Sequence, residues 1–455
     1  MRTRLAVLAA AIATAAVAAT VSTSVTYSKD IAPILQRNCQ GCHRPGEAAP
    51  MSLLTYQEAR PWAKAIREAV LVKRMPPWFA DPHFGKWSND VSMPQAEVDT
   101  LVAWADGGAR EGNPKDLPPP RKFVDGWNIG LPDAVIEMPQ EFRVAASGTI
   151  EYQYVVIPTG FTGDKWVRMA EIRPGNRAVV HHVIGFIREP GSTWMKDAKP
   201  GEPFVPRRRY DDPQRGREAN REANPEGSRP APERSNERGA GSMLVGFAPG
   251  MQPQVLPAGH AILVKAGSDL VFQMHYTANG KPGLDRTKIG LIFAKEPVTR
   301  RVLIAPATNN KFVIPPGAGN HQVDSEITIQ SSASLIALMP HMHLRGKDFE
   351  YRLVRPAAAP EVMLRVPKYN FNWQLFYYFD KPLELTKGTK IECTAHFDNS
   401  PNNPDNPDPA SEVKWGDQSW EEMMIGWFSV AFDPSMKPED LFQRERRPAA
   451  RPSSD

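Results

Sequence analysis

Two sets of residues in this chain have the types and spacings for redox chemistry. Cys39-Gln40-Gly41-Cys42-His43 is a C-x-x-C-H run. Its two thiols can form thioethers to the vinyl groups of a heme, and the adjacent imidazole can ligate the iron. The plainer readings of this run are a redox dithiol or half of a zinc site. The second set is His181-His182, then His275, then His341-Met342-His343, then Met423. Imidazole suits copper, and a Met thioether selects soft Cu(I). The order reads as two copper sites, one of them completed by sulfur. A covalent electron carrier and a copper pair on one polypeptide imply redox chemistry with oxygen.

Each group makes a different demand on the backbone. In a strand, residues i and i+2 project to one face, so His341 and His343 can converge without distortion. His181 and His182 are neighbours and face opposite sides of a regular strand. They share a metal only at a bulge, a twist or a strand end. His275, in Phe272-Gln273-Met274-His275-Tyr276, reads by itself as a satisfied core histidine. Met423 follows Glu421-Glu422 just before an aromatic strand and can reach a metal from a neighbouring strand. For the heme, a Met as sixth ligand would raise the potential. Met75 is the expected one, because Pro76-Pro77 stiffen the loop after it; Met93 and His83 are the alternatives.

The elements that must hold these groups fall into three parts. Residues 25–112 carry helical stripes, at Ile31, Ile34 and Leu35 and at Val98, Leu101, Val102 and Ala105, the second ended by Gly107-Gly108. They are expected to form a small all-α cytochrome c-type domain. Residues 113–122 are proline-rich and read as a linker. Beyond 123, short β-branched or aromatic runs at 152–157, 178–187, 269–276, 334–339 and 425–432 alternate with Pro/Gly turns. That pattern predicts two antiparallel, jelly-roll-like β-sandwiches, over 123–290 and 291–438. Residues 206–241 nearly lack large apolar side chains and read as a mobile insertion, and 439–455 as a disordered tail.

Composition narrows the function classes. Lys and Arg number 55 against 51 Asp and Glu, a net charge of +4 with no long basic face, so nucleic acid is not an expected partner. Met1-Arg2-Thr3-Arg4 and the apolar run after it read as a signal peptide over 1–24, with Ala16-Val17-Ala18 as a cleavage site. The alternative is an uncleaved anchor. Cleavage predicts an exported protein, periplasmic in a bacterium, with no transmembrane domain remaining. Export favours disulfides, yet there are three cysteines and a heme would use two. Cys393 is expected to be a buried thiol, on the opposite strand face from His396.

His-His, a distant His, H-x-H and a Met after Glu resembles the copper type II, ascorbate-dependent monooxygenases, the peptidylglycine α-hydroxylating and dopamine β-hydroxylating enzymes. The resemblance spans roughly 125–434. The N-terminal part is similar to small bacterial c-type cytochromes. The resemblance implies two β-sandwiches and two coppers. His181, His182 and His275 would hold an electron-transfer copper; His341, His343 and Met423 would hold the catalytic copper that binds O2. The implied function is hydroxylation of a C–H bond of an organic substrate; the fusion of the two parts adds the expectation that electrons from a redox protein or an ascorbate-like reductant pass through the heme c. The alternative is a non-catalytic heme and copper electron-transfer protein. A zinc hydrolase fits less well, since zinc prefers Asp, Glu, His or Cys to Met.

The chain departs from the family at several positions. The peptide-amidating member holds a substrate carboxylate with an Arg two residues before H-x-H, where this chain has Met339, and uses an Asn and a Tyr shortly after its Met ligand, where this chain has Ile425 and Trp427. Arg345 is expected in a surface salt bridge. His83, His260 and His321 are expected to be exposed, and His396 to make a structural hydrogen bond.

Overall fold

A computed structural model of the protein describes residues 25–47, 49–206 and 241–442. The expected signal peptide lies outside them. So do 207–240 of the expected insertion and the tail beyond 442. None of the described helices is long and apolar enough to cross a membrane.

The helical stripes fold the N-terminal part into short helices round one small core. Ile34 and Leu35 are buried on the helix Ala32–Asn38. Thr55 caps Tyr56–Ala59 in a capping box with Glu58. Pro61 starts the tight turn Arg60–Trp62, which leads into Ala63–Leu71. Gln95–Asp106 buries Val98, Leu101 and Trp104 and ends at Gly107. The proline-rich linker is tied back to this unit, Arg121 donating to the Gln36 carbonyl at 2.7 Å. Between the last two helices the chain leaves the unit. Trp78, Phe79 and Trp87 pack on the C-terminal sandwich, and the Asn89 amide bonds Phe376 O and Tyr378 N at 2.7 and 3.0 Å.

The remainder is mostly antiparallel sheet in two packed pairs of layers. One layer of the first pair holds Ala134–Glu137, Lys288–Phe293, Lys165–Arg173 and His260–Val264. The other holds Gln153–Pro158, Asp269–Tyr276, Val180–Arg188 and Ser242–Phe247. In the second pair, His321–Thr328, Lys390–Phe397, Gly346–Val354 and Glu361–Val366 lie in one layer. Against it lie Arg300–Thr308, Ile425–Phe432, Ala333–His341 and Tyr377–Leu385. The layers approach closely at Gly426, where a Cβ would run into the Cys393 sulfur. Cys393 is buried, and His396 faces away from it to Asp348 at 2.7 Å.

The expected boundary near 290 is not a break in hydrogen bonding. The strand Arg300–Thr308 pairs along its length with Ile425–Phe432, meets Met243 at Ile304, and runs parallel to His260–Ala261 at its start. One sheet therefore crosses from the first pair of layers to the second. The C-terminal stretch also stays packed beyond 438: Leu441 is fully buried and Phe442 bridges to Ile329.

Candidate metal centre

The strand Val180–Arg188 brings the first three histidines together. His182 pairs directly with His275 on Asp269–Tyr276, and the register slips between Val180 and His182. That slip is the bulge adjacent histidines require. His181 Nδ1 lies 3.2 Å from His182 Nδ1, and His275 Nδ1 lies 3.4 Å from the same atom. Two nitrogens bound tetrahedrally to one ion at about 2.0–2.1 Å sit roughly 3.3 Å apart. These two spacings therefore fit a first-row metal, and the three histidines' ligand atoms all lie within 4.8 Å of one another. The opposite nitrogens of two of the rings have partners: His181 Nε2 meets Asn372 Oδ1 at 3.1 Å, and His275 Nε2 meets Ser419 Oγ at 3.4 Å.

The second pair lies at the end of the strand Ala333–His341. His341 is its last residue and His343 lies just beyond. Met342 turns into the C-terminal core, and its backbone N–H and carbonyl are both bonded by the Tyr369 hydroxyl at 3.1 and 2.8 Å. His341 Nδ1 donates to Gln374 Oε1 at 2.8 Å, and His343 Nδ1 donates to the Glu421 carbonyl at 3.1 Å. Such bonds leave Nε2 as the nitrogen with a free lone pair. His343 Nε2 is buried without a hydrogen-bond partner, as a metal-accepting nitrogen would be. The buried Glu422 carboxyl accepts the backbone N–H groups of His343 and Arg345 at 2.8 and 2.6 Å. Met423 and Met424 then diverge, Met423 into the core shared with the first sandwich and Met424 into the C-terminal core.

Burial keeps these imidazoles neutral. It holds the pKa of His182 and His275 well below the usual histidine value, with the neighbouring histidines adding to the effect. It brings His341 down to about 4 and His343 to about 3. His181 is also lowered by burial, less so because of Asn372. The same desolvation raises Glu422 to about 8.

Residues with no spacing signal join the two histidine sets. The Tyr152 ring lies 5.3, 4.5 and 6.5 Å from the rings of His182, His275 and His343. Phe371 stacks on His181 at 5.2 Å and lies 5.8 Å from His343. Gln374 bonds His341 through oxygen, and its Nε2 points to His182 Nδ1 at 3.5 Å. Nothing in the order of the histidines points to these side chains.

Other candidates stand elsewhere. His83 is exposed and paired with Asp81 on the loop that packs on the C-terminal sandwich. Arg345 corrects an expectation: it is 1% exposed, and its guanidinium braces Asn399 Oδ1 and the Trp420 carbonyl at 2.8 and 2.9 Å. Met339 and Trp427 are register partners, as are His341 and Ile425. Met339, Ile425 and Trp427 are all buried, so the strand end at His341 has apolar neighbours.

The C-x-x-C-H run makes one tight turn, with Cys42 N and His43 N both bonded to the Cys39 carbonyl at 3.1 and 2.9 Å. Burial raises the Cys39 thiol to about 12. Cys42 opens onto a cleft of about 240 Å³ between the helices and the first sandwich, lined also by Arg44, Arg121, Lys122, Arg177 and Gly250. Arg44 and Arg177 both pair with Glu47, at 2.8 and 3.0 Å. Met93 and Cys39 both pack against the helical core. Met75 N is bonded to the Ala69 carbonyl at the end of the preceding helix, at 3.3 Å.

No curated protein matches the chain. Among solved structures, the VP2 subviral particle of infectious bursal disease virus is similar at 9% identity over 68% of this chain and 74% of that one, with a TM-score of 0.18. The Gx strain of that virus is similar at 10% identity over the same shares, with a TM-score of 0.17. Similarity at that level carries no inference about this chain. Residues 301–423 match the family described as copper type II ascorbate-dependent monooxygenase, C-terminal domain, a stretch that holds His341 and His343 and ends on Met423.

Proposed function

We propose that this chain is an exported, periplasmic copper-dependent monooxygenase that hydroxylates a C–H bond of an organic substrate, with electrons arriving through a covalent heme c. The reaction balances as R–H + O2 + 2 e⁻ + 2 H⁺ → R–OH + H2O, the electrons coming from an external redox protein or small reductant. The observation that carries this reading is the meeting of three neutral imidazole nitrogens beside His341 and His343, within and next to the copper-monooxygenase-like stretch.

Bound copper supplies one-electron redox change and activation of oxygen. His181, His182 and His275 would hold one ion, and His341, His343 and Met423 the other. The chain's own contribution is to keep the rings unprotonated by burial. Asn372, Gln374 and the Glu421 carbonyl fix which nitrogen of His181, His341 and His343 carries the proton. The apolar set Met339, Ile425 and Trp427 supports a substrate whose reacting end carries no carboxylate.

Cys39, Cys42 and His43 would hold the heme, with Met75 as sixth ligand, and the heme supplies a one-electron store. The cationic side chains round the Cys42 cleft suit the two carboxylates of such a group, and the Arg44 Nε is buried there without a partner. Two features support a donor role. Arg177 in the cleft wall stands four residues before His181, at most about 14 Å of chain. The Trp373 ring, next to Gln374, covers Gly250 in the same wall.

Burial of His182, His341 and His343 behind Tyr152 and Phe371 favours the runner-up reading, a non-catalytic electron-transfer protein. Oxygen uptake separates the two. Copper- and reductant-dependent uptake that rises with an oxidisable organic compound and vanishes in His341→Ala supports the monooxygenase. Full copper and heme loading with no uptake across a broad panel of C–H compounds supports the runner-up.

A further inference from the structure

Gln374 lies between the two histidine sets and offers each a different atom. Its Oε1 faces His341 Nδ1 at 2.8 Å, and its Nε2 faces His182 Nδ1 at 3.5 Å. The amide cannot turn over freely, because Nε2 also donates to the Phe371 carbonyl at 3.2 Å. Gln374 is itself 4% exposed, so water does not compete for these bonds.

An amide oxygen only accepts and an amide nitrogen only donates. His341 must therefore carry its proton on Nδ1, leaving Nε2 for a metal. His182 must present a lone pair on Nδ1, and so carries its proton on Nε2. The Nδ1 atoms of His181 and His275 converge on His182 Nδ1 at 3.2 and 3.4 Å; with the His181 proton held on Nε2 by Asn372, that convergence suits lone pairs facing a shared metal ion. The buried, unbonded His182 Nε2 is then the protonated nitrogen, with the Tyr152 ring perpendicular to the imidazole at 5.3 Å.

We propose that Gln374 is a positioning residue shared by both histidine sets, which selects opposite tautomers: Nδ1–H on His341 and Nε2–H on His182. One set would then bind metal through Nε2 of His341 and the other through Nδ1 of His182. The metal-binding consequence rests on the copper reading; the tautomers rest on the two Gln374 contacts.

The test is NMR of the metal-free protein with ¹⁵N-labelled histidine, in which one-bond and two-bond couplings report which nitrogen carries the proton. Wild type should show Nδ1–H for His341 and Nε2–H for His182. Gln374→Met, close in shape and lacking both polar atoms, should release His341 from the fixed Nδ1–H form. Cu(I) competition titration of the same variant should show roughly 10–100-fold weaker binding at the His341 site and a smaller loss at the three-histidine site, where the Gln374 contact is longer. A residue with only a structural role would weaken both sites without moving the His341 proton. A proton on His341 Nε2 or on His182 Nδ1 in wild type overturns the proposal, as does an unchanged His341 tautomer in Gln374→Met. If the tautomers are as stated but wild type binds no copper, the copper reading fails and the role of Gln374 stands.

Discussion

His182 and His275 face one another directly across two hydrogen-bonded strands, and His181 reaches them only because the register slips between Val180 and His182. The trio depends on both strands. His275→Ala should lower copper from two ions per chain to one, and His341→Ala should remove the other ion. Metal analysis of the purified variants gives the count. A variant that loses both ions together would mean a single shared centre.

Glu422 is the second fixed point. Its buried carboxyl accepts the N–H groups of His343 and Arg345, which the turn after His341 leaves without other partners. Glu422→Ala strands two buried donors at about 1–3 kcal/mol each. The protein should be destabilised by roughly 2–6 kcal/mol in denaturant titrations and lose the copper at His341. Glu422→Gln keeps one acceptor and should lose about half as much. Equal stability of all three proteins would show that the turn is held by other contacts.

The metal-free protein should be less stable in acid. His341 and His343 titrate at about 4 and about 3 when folded, against about 6.5 when unfolded. Between those values the unfolded chain binds protons that the folded chain does not, so stability falls as pH drops from about 6.5 towards 4. His182 and His275 act in the same direction. Glu422 acts oppositely: raised to about 8, it contributes stability that is lost as pH rises through that value. Melting temperatures should therefore peak near neutrality. His341→Phe, which cannot bind a proton there, should flatten the acid limb; an unchanged limb would place the titration elsewhere.

Legibility of the fold and site in the sequence followed the physics of each signal. The strand holding His275 was readable to its ends, because Asp269–Tyr276 is a short apolar run between turns. That His181 and His182 share a metal only at a bulge, a twist or a strand end follows from their adjacency; which of these the chain uses, and where, does not. Met423 and Met424 part into different cores just before the strand Ile425–Phe432. Gln374, Asn372 and Phe371 gave no signal, since they sit on a loop whose position depends on tertiary packing and not on any period. Arg345 was misread because a charged residue after a turn is normally solvated. Here Asn399 and the Trp420 carbonyl satisfy it internally. Continuity of the sheet through Arg300–Thr308 also has no local signature, being set by which strands become neighbours.

Two methionines are candidates for the sixth ligand of the proposed heme. Met75 starts the loop that crosses to the C-terminal sandwich, while Met93 packs on the helical core with Cys39. On the Met75 assignment, Met75→Ala should abolish the low-spin His/Met optical signature of the reduced protein and Met93→Ala should leave it. The reverse pattern assigns Met93.

The last prediction concerns how electrons arrive. Cys39 and Cys42 lie in the helical unit, whereas every proposed copper ligand lies in the sandwiches. Removing the thiols should therefore spare the copper centre. If heme feeds copper, Cys39→Ala/Cys42→Ala should slow turnover with a protein electron donor and leave turnover with a small, diffusible reductant near wild type. Arg177→Gln should give a milder form of the same split. It removes the cation that joins the cleft to the His181 strand through Glu47 and the Phe247 ring, at 3.0 and 5.4 Å. Its heme potential should also fall, because a nearby positive charge favours the reduced iron. His275→Ala should behave differently and depress turnover with every reductant. Steady-state oxygen uptake with the two donor types, set beside a redox titration of the heme band, reads all of these at once. If heme-free and wild-type proteins turn over equally with the protein donor, the heme is no part of the route and the cleft holds a separate carrier on the same chain.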